Sequence, residues 1–332
     1  MRPRLTYAVA LGIALLGLAV PVAVAAFVAT TSNSGNSFTS AAIFPGGIKM
    51  ATGTYTGDNS DDRAIAVGFQ PDFVLVKDEG NREAVARTSS MVGDLSKPMG
   101  SATALQADNI QSFTATGFVV GGSTRTNQNN RAYQWVAIKA NSQAMNVGSY
   151  TGNGTGQSIA GLGFSPELVM VMGNNAQRAA LHLAGGRTYR FDTGTSVTGG
   201  VASMDADGFT VGTAVETNAA SVAYHYVAFN DVANSIDASS YLGDGVDNRN
   251  VATPGFQPDF VLIRADDNVT SRPGNFKPAS LTGDNALPFS ATASVTNRIQ
   301  ALNATGFQVG NSTDVNASGV TYYSLAVRGS AP

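Results

Sequence analysis

Three acidic turns are the first residues of this 332-residue chain with the types and spacing for chemistry. "GDNSDD" (Gly57–Asp62) gathers Asp58, Asp61 and Asp62, "GDGVDN" (Gly243–Asn248) gathers Asp244 and Asp247, and "DADG" covers Asp205–Gly208. Carboxylates and carbonyls crowded into a turn are the oxygen ligands that Ca²⁺ takes. None follows the twelve-residue spacing of a dedicated calcium loop, and the matching place in mid-chain holds Asn153, Gly154 and Gln157. A weak Ca²⁺ site over Asp58, Asp61, Asp62, Asp244 and Asp247 is thus one expectation, and plain solvated turns are the favoured one.

Catalytic types are sparse. The chain has two histidines, His182 and His225, and no cysteine, which excludes disulfides, thiolate metal sites and thiol nucleophiles. His225 stands between Tyr224 and Tyr226 and is expected on the solvent side of a strand. No G-x-S-x-G, H-E-x-x-H or Walker phrase occurs. Nothing titratable near neutral pH recurs along the chain, so no catalytic residue and no enzyme is expected. Charged residues make up only 13% and the net charge is −3, which gives no electrostatic reason for a nucleic-acid partner.

Aromatic residues recur in step. Tyr133 with Trp135, Tyr224 with Tyr226, and Tyr322 occupy matching places, as do Tyr55, Tyr150 and Tyr241. Such rings can stack on sugar rings, and repeated weak sites add avidity. The competing and favoured reading is that they pack cores and tyrosine corners. Five Asn-x-Ser/Thr sequons (Asn153, Asn268, Asn303, Asn311, Asn316) matter only where the source glycosylates.

The elements that must position these residues come in three copies. "GFQPDF" (Gly68–Phe73) returns at Gly255–Phe260, with "GFSPEL" (Gly163–Leu168) between. Tyr55 lies 14 residues before Phe69, Tyr150 lies 14 before Phe164, and Tyr241 lies 15 before Phe256. From Phe118, Phe209 and Phe307 it is 15 residues each time to Tyr133, Tyr224 and Tyr322. Fixed ends around a middle of variable length describe a packed β unit whose loops differ. "FVLVK", "LVMVM" and "FVLIR" read as strands buried on both faces, and turn signals recur without any long helical period. In the shared phrase, glycine allows a turn before a buried aromatic, proline begins a strand, and the carboxylate accepts backbone N–H groups. The phrase is a structural device. Six propeller blades of about 45 residues are the rival reading, set aside because the two halves of each unit are not copies of one another.

The N-terminus has Arg2 and Arg4 before an uncharged apolar stretch, Leu5–Val28, closing in small residues. That is the pattern of a secretory signal, with a retained anchor as the alternative. "AAFVATTSNSGNSFTSA" (Ala25–Ala41) resembles the junction cut by SipW-type signal peptidases, matching at Ala26, Phe27, Thr30 or Thr31, Gly35, Asn36, Phe38 and Ala41. The resemblance implies cleavage before Phe27 and an export route shared with TasA- and camelysin-like matrix proteins.

The repeat itself resembles units of phage tail-fibre, tailspike-type and bacterial surface proteins. Those read "Tyr-x-Gly-Asn-Gly … Gly-Phe-x-Pro-Asp-x-Val … Gly-Phe-x-Val … Asn-x-x-Gly-x-x-Tyr", matched here at Tyr150–Gly154 and Gly68–Val74. The resemblance implies jelly-roll or concanavalin-like sandwiches used for display and attachment, and transfers no catalytic residue. The expected architecture is all-β, with three tandem β-sandwich domains after an N-terminal signal helix. Its parts are a signal peptide 1–26, a segment 27–52, and repeats 53–140, 147–231 and 239–329, each able to fold alone. The expected function is that of a secreted, non-enzymatic cell-surface or matrix protein with structural or adhesive duty. Partners would be surface glycans or other matrix proteins, with membrane contact only through an uncleaved signal segment. The alternative is a carbohydrate-binding protein with aromatic-lined loops. No cofactor is expected beyond the Ca²⁺ named above.

Overall fold

Residues 47–192, 196–266 and 272–330 are described by a computed structural model. The expected signal segment, the junction before Gly47 and the sequon at Asn268 lie outside the described residues. The first repeat runs through β1 (Ile48–Thr56), β2 (Arg63–Ala66), β3 (Phe73–Asp78) and β4 (Val85–Thr88). It continues with β5 (Lys97–Pro98), β6 (Ile110–Thr114), β7 (Gly117–Val120) and β8 (Ala132–Lys139). The second holds β9 (Met145–Thr151), β10 (Gln157–Ala160), β11 (Leu168–Gly173), β12 (Ala180–Leu183) and β13 (Thr188–Arg190). After these come β14 (Val201–Asp205), β15 (Gly208–Val211), the one-turn helix α1 (Val215–Asn218) and β16 (Ala223–Phe229). The third holds β17 (Ile236–Leu242), β18 (Arg249–Val251), β19 (Phe260–Ala265), β20 (Asn275–Pro278) and β21 (Leu287–Pro288). It ends in β22 (Ile299–Asn303), β23 (Gly306–Val309), α2 (Thr313–Asn316), β24 (Thr321–Val327) and β25 (Gly329–Ser330).

The fold is all-β, in separate sheets of repeated order. The larger sheets read β1-β8-β3-β4-β5, β9-β16-β11-β12-β13 and β17-β24-β19-β20-β21. The smaller ones read β2-β7-β6, β10-β15-β14 and β18-β23-β22. The runs read as doubly buried strands are the middle strands β3, β11 and β19, with all six residues of each buried. Alternation sends Val74 and Val76 with Tyr133 and Trp135 to a core shared with Ile65, Phe118 and Val120 of the small sheet. Leu75, Val136 and Ile138 point the other way. They join Met170 and Val227 of the second repeat and Leu262 and Leu325 of the third in a single apolar cluster.

All three repeats therefore share one core. Phe191 and Phe289 meet within it at 4.6 Å between ring centroids. Backbone bonds cross between repeats as well: Gly274 N–H donates to Phe191 O (2.9 Å), Ala84 to Phe289 O (3.0 Å) and Ser294 to Glu79 O (2.9 Å). The buried Lys97 ammonium donates from the first repeat to Gly173 O (2.8 Å) and Gln177 O (2.7 Å) of the second. Finally β25 adds to β1 in parallel, Ile48 opposite Gly329, tying the last strand to the first. The expected joints near 140–147 and 231–239 are tight turns, closed by Met145 N–H on Asn141 O (2.9 Å) and Ile236 N–H on Val232 O (2.8 Å). This packing argues against each unit folding alone, because one repeat by itself leaves the inner face of its large sheet in water.

The repeated phrase has its physical reason in the structure. Gly68, Gly163 and Gly255 have φ of +96°, +84° and +70°, where a side chain is strained. Asp72 Oδ2 accepts Ala140 N–H and Asp259 Oδ2 accepts Gly329 N–H, both at 2.9 Å, so the carboxylate locks the end of the closing strand. A second constraint sits across β1 and β8. Gly53 pairs with Trp135, and a Cβ on Gly53 would come within 2.3 Å of the indole. Gly148 relates likewise to Tyr226, whereas the third repeat pairs Ser239 with Ser324. The large ring is admitted only where its partner lacks a side chain.

Two outcomes follow. A fragment spanning Val147 to Asp231 gives no cooperative melt by circular dichroism, whereas the full chain melts in one transition. Phe289→Ala lowers the stability of that single transition by about 3–5 kcal/mol; a change confined to one of several transitions contradicts the shared core.

Candidate functional site

Loop chemistry is built around one buried asparagine per repeat. Asn127, Asn218 and Asn316 are fully buried, six residues before Tyr133, Tyr224 and Tyr322. Asn127 Nδ2 donates to Asp58 Oδ1 (3.0 Å) and Ser60 O (2.7 Å), while its Oδ1 accepts from Asp58 N–H (3.1 Å). Asn316 repeats the pattern on Asp244 Oδ1 (3.1 Å), Val246 O (2.8 Å) and Asp244 N–H (3.0 Å). Asn218 does so on Asn153 Oδ1 (3.0 Å) and Asn153 N–H (2.9 Å). The amide thus clamps each opening turn, and a buried amide so satisfied needs no water. The resemblance motif Asn-x-x-Gly-x-x-Tyr already marks this position, matched in full at Asn316–Tyr322, but gives it no role, because a loop Asn looks the same buried or exposed. Burial also closes the Asn316 sequon to modification in the folded chain.

The acidic residues serve the same clamps. Asp58 Oδ1 accepts Ser60 N–H (2.9 Å) and its hydroxyl (2.6 Å), and Oδ2 lies 3.4 Å from the Arg63 guanidinium. The Ser60 bonds, then Asn127 and Arg63, hold its carboxyl below the usual range. Asp244 accepts Val246 N–H (2.8 Å) and pairs with Arg249 (3.3 Å), and its carboxyl is likewise lowered, by the Val246 bond first. Asp61 Oδ1 accepts Asp62 N–H and the Gln111 amide; Asp247 Oδ1 accepts Asn248 N–H and the Gln300 amide. Asp62 forms the left-handed corner of its turn at φ +56°. Among the described residues no three His, Asp or Glu side chains converge to hold a metal. Of the residues named for a weak Ca²⁺ site, Asp58 and Asp244 are engaged by turn N–H groups and arginines, and Asp61 and Asp247 by turn N–H groups and glutamine amides.

The aromatics are inside. Tyr133, Tyr224 and Tyr322 are fully buried, and Trp135 and Tyr226 are 7% exposed. Tyr133 Oη donates to Thr124 O (2.9 Å) and accepts Gln128 N–H (2.8 Å). Tyr224 bridges Val215 O and Ala219 N–H, and Tyr322 bridges Thr313 O and Ala317 N–H, in the same way. Each carries a stacked partner, Tyr55, Tyr150 or Tyr241, at 5.1, 5.3 and 5.4 Å. Arg63 covers Tyr55 at 5.1 Å and Arg249 covers Tyr241 at 5.4 Å. The expected ligand-facing rings Tyr133, Trp135, Tyr224, Tyr226 and Tyr322 are thus core and corner residues, with no ring face left for a sugar.

Both histidines are buried, so the solvent-side reading of His225 is corrected. Its Nδ1 lies 2.9 Å from Ser90 Oγ of the first repeat, and Ser90 Oγ also donates to Gly148 O (3.0 Å). No carboxylate is hydrogen-bonded to this imidazole among the described residues, so the pair lacks the orienting acid of a hydrolase. His182 Nδ1 lies 3.1 Å from Thr188 Oγ1. Burial lowers each to about 4, and Arg87 adds to the effect at His225.

Residues 47–146 match the profile of a family described as Domain of unknown function (DUF7483). That span covers the first repeat and the first two residues of β9. No curated protein and no solved structure matches the chain. No helix among the described residues is long and apolar enough to cross a membrane.

Two measurements probe the site. Asn316→Ala leaves Asp244 N–H and Val246 O without their partner and costs about 1–3 kcal/mol; an unchanged melting temperature contradicts the clamp. The histidines stay neutral in the fold down to about 4, against about 6.5 when unfolded. The unfolded chain therefore binds more protons as pH falls below 6.5, and stability declines from there toward pH 4. His225→Gln, the residue of the first repeat, removes about 2–3 kcal/mol of that decline. Asp231, raised to about 6 by burial, acts in the opposite sense, so melting from pH 8 to pH 4 is compared between wild type and variant.

Proposed function

We propose that the chain is a secreted, non-enzymatic cell-surface or matrix protein in which three β-sandwich units serve structural and adhesive duty. One observation carries this reading. The closing tyrosine and the clamp asparagine that recur in all three repeats are buried, and the asparagine is spent on the opening turn, as in Asn127–Asp58, Asn218–Asn153 and Asn316–Asp244. A repeated catalyst would repeat an accessible acid, base or nucleophile. A repeated scaffold repeats what holds its loops.

The basic and apolar N-terminus supports export, and the junction around Phe27 supports cleavage there. A chain without cysteine derives its stability outside the cell from burial, and a core shared by three repeats supplies more of it than three separate ones. The lectin alternative loses the buried rings on which it rested.

Fractionation of producing cells, with the mature terminus read by mass spectrometry, tests the proposal. The expected product starts at Phe27 and is found outside the cytoplasm; an intact Met1 in the cytosol overturns it.

A further inference from the structure

A cavity of about 360 Å³ opens in the third repeat beside the repeated phrase, bordered by Gln257, Asp259, Lys277, Leu281, Gln300 and Leu302. Its origin is legible by comparison with the first repeat. Strand pairing places Lys277 where Arg87 stands, and Leu302 where Phe113 stands. Arg87 spreads its guanidinium over Leu95 O, Met91 O (3.0 Å), Gly93 O (2.8 Å) and Ile110 O (3.4 Å), and lies 5.7 Å above the Phe113 ring. Lysine and leucine are smaller, and Lys277 Nζ reaches only Gly283 O (2.8 Å) and Asn285 O (2.6 Å).

We propose that this cavity binds one neutral, hydroxyl-bearing ring, a single monosaccharide unit, with the Lys277 ammonium as its principal donor.

Three features select that class. An ammonium has three protons, and the two carbonyls take two of them, leaving one N–H without a protein acceptor. A hydroxyl both donates and accepts, so a ring carrying several can take that N–H while its other hydroxyls stay in water. The apolar walls, Leu281 and Leu302, suit the C–H faces of such a ring. Charge selects against ions. The lining holds one cation, Lys277, and one anion, Asp259, whose Oδ2 is already held by Gly329 N–H at 2.9 Å. A carboxylate ligand would meet Asp259, and a guanidinium would meet Lys277. Burial lowers Lys277 to about 8, which still leaves it protonated at neutral pH. The inference deepens the adhesive reading by naming a ligand class and rests on it for its setting. Binding to purified protein is measured independently of where cells place the protein.

Calorimetric titration of the purified full chain uses glucose, galactose, mannose and N-acetylglucosamine, with galacturonate and free arginine as charged probes. A neutral sugar is expected to bind with a Kd of about 1 mM. Lys277→Arg with Leu302→Phe rebuilds the filling of the first repeat and weakens that binding about tenfold or more. Ala279→Trp, at an exposed position on the rim, does the same without touching the core and carries the test if the double variant does not fold. Absence of heat with every neutral sugar up to ~50 mM overturns the proposal. So does binding that survives both variants, or tighter binding of galacturonate or arginine.

Discussion

The middle strand of each large sheet is buried on both of its faces, and the rest of the structure follows from that. A sheet with one wet face alternates apolar and polar residues, whereas β3, β11 and β19 have no residue to spare for water. One face is covered within the repeat by the three-stranded sheet. The other can be covered only by something outside the repeat, and here it is covered by the equivalent faces of the two other copies. Hence the join at 141–145 is a hydrogen-bonded turn rather than a linker, and β25 reaches back to β1. Leaving any one inner face exposed would cost the apolar burial that the three copies give one another.

Burying so much backbone creates a second demand, since interior polar groups must find partners inside. The loops at the opening-turn end meet it with three residue types in fixed places: a tyrosine hydroxyl that both donates and accepts, a buried asparagine amide, and an aspartate or asparagine at the start of the turn. Where the third member is charged, as in Asp58 and Asp244, an arginine stands beside it and lies over the neighbouring tyrosine. The second repeat has Asn153 and Gln157 instead, losing anion and cation together. Residues that look like metal ligands and sugar platforms in the sequence are thus two halves of one neutral device.

What could be read from sequence was what depends on neighbours along the chain. The strands, the glycine corners at Gly68, Gly163 and Gly255 and the carboxylate that takes a backbone N–H in Asp72 and Asp259 all follow from local rules of turn and alternation. What covers each face does not. Alternation separated His225 from Tyr224 and Tyr226 correctly, but the assignment of its face to solvent failed because Ser90, 135 residues away, packs there. The role of Asn127, Asn218 and Asn316 was hidden for a related reason: their partners lie 65 to 72 residues off. Clustering of carboxylates in sequence pointed elsewhere, since the turn sets Asp58 against Asn127 and Asp61 against Gln111.

The three repeats are alike in backbone but not interchangeable, and their junctions show why. The turn after β4 sets Ser90 against His225 of the second repeat. The turn after β20 sets Ser280 against Gln134 of the first, at 2.6 Å. At the third junction the turn after β12 presents Gly186 to Tyr323, and a Cβ there would lie 2.7 Å from the phenol ring. A hydroxyl faces a hydrogen-bonding side chain twice, and an absent side chain faces a large ring once. Moving Tyr323 opposite Ser90 would produce a clash, and moving Gln134 opposite Gly186 would leave a hole beside an unpaired amide. Each repeat is therefore fitted to one particular neighbour. Order around the shared core is set at these junctions by size and hydrogen bonding, while the core itself, being apolar in all three copies, would accept any order.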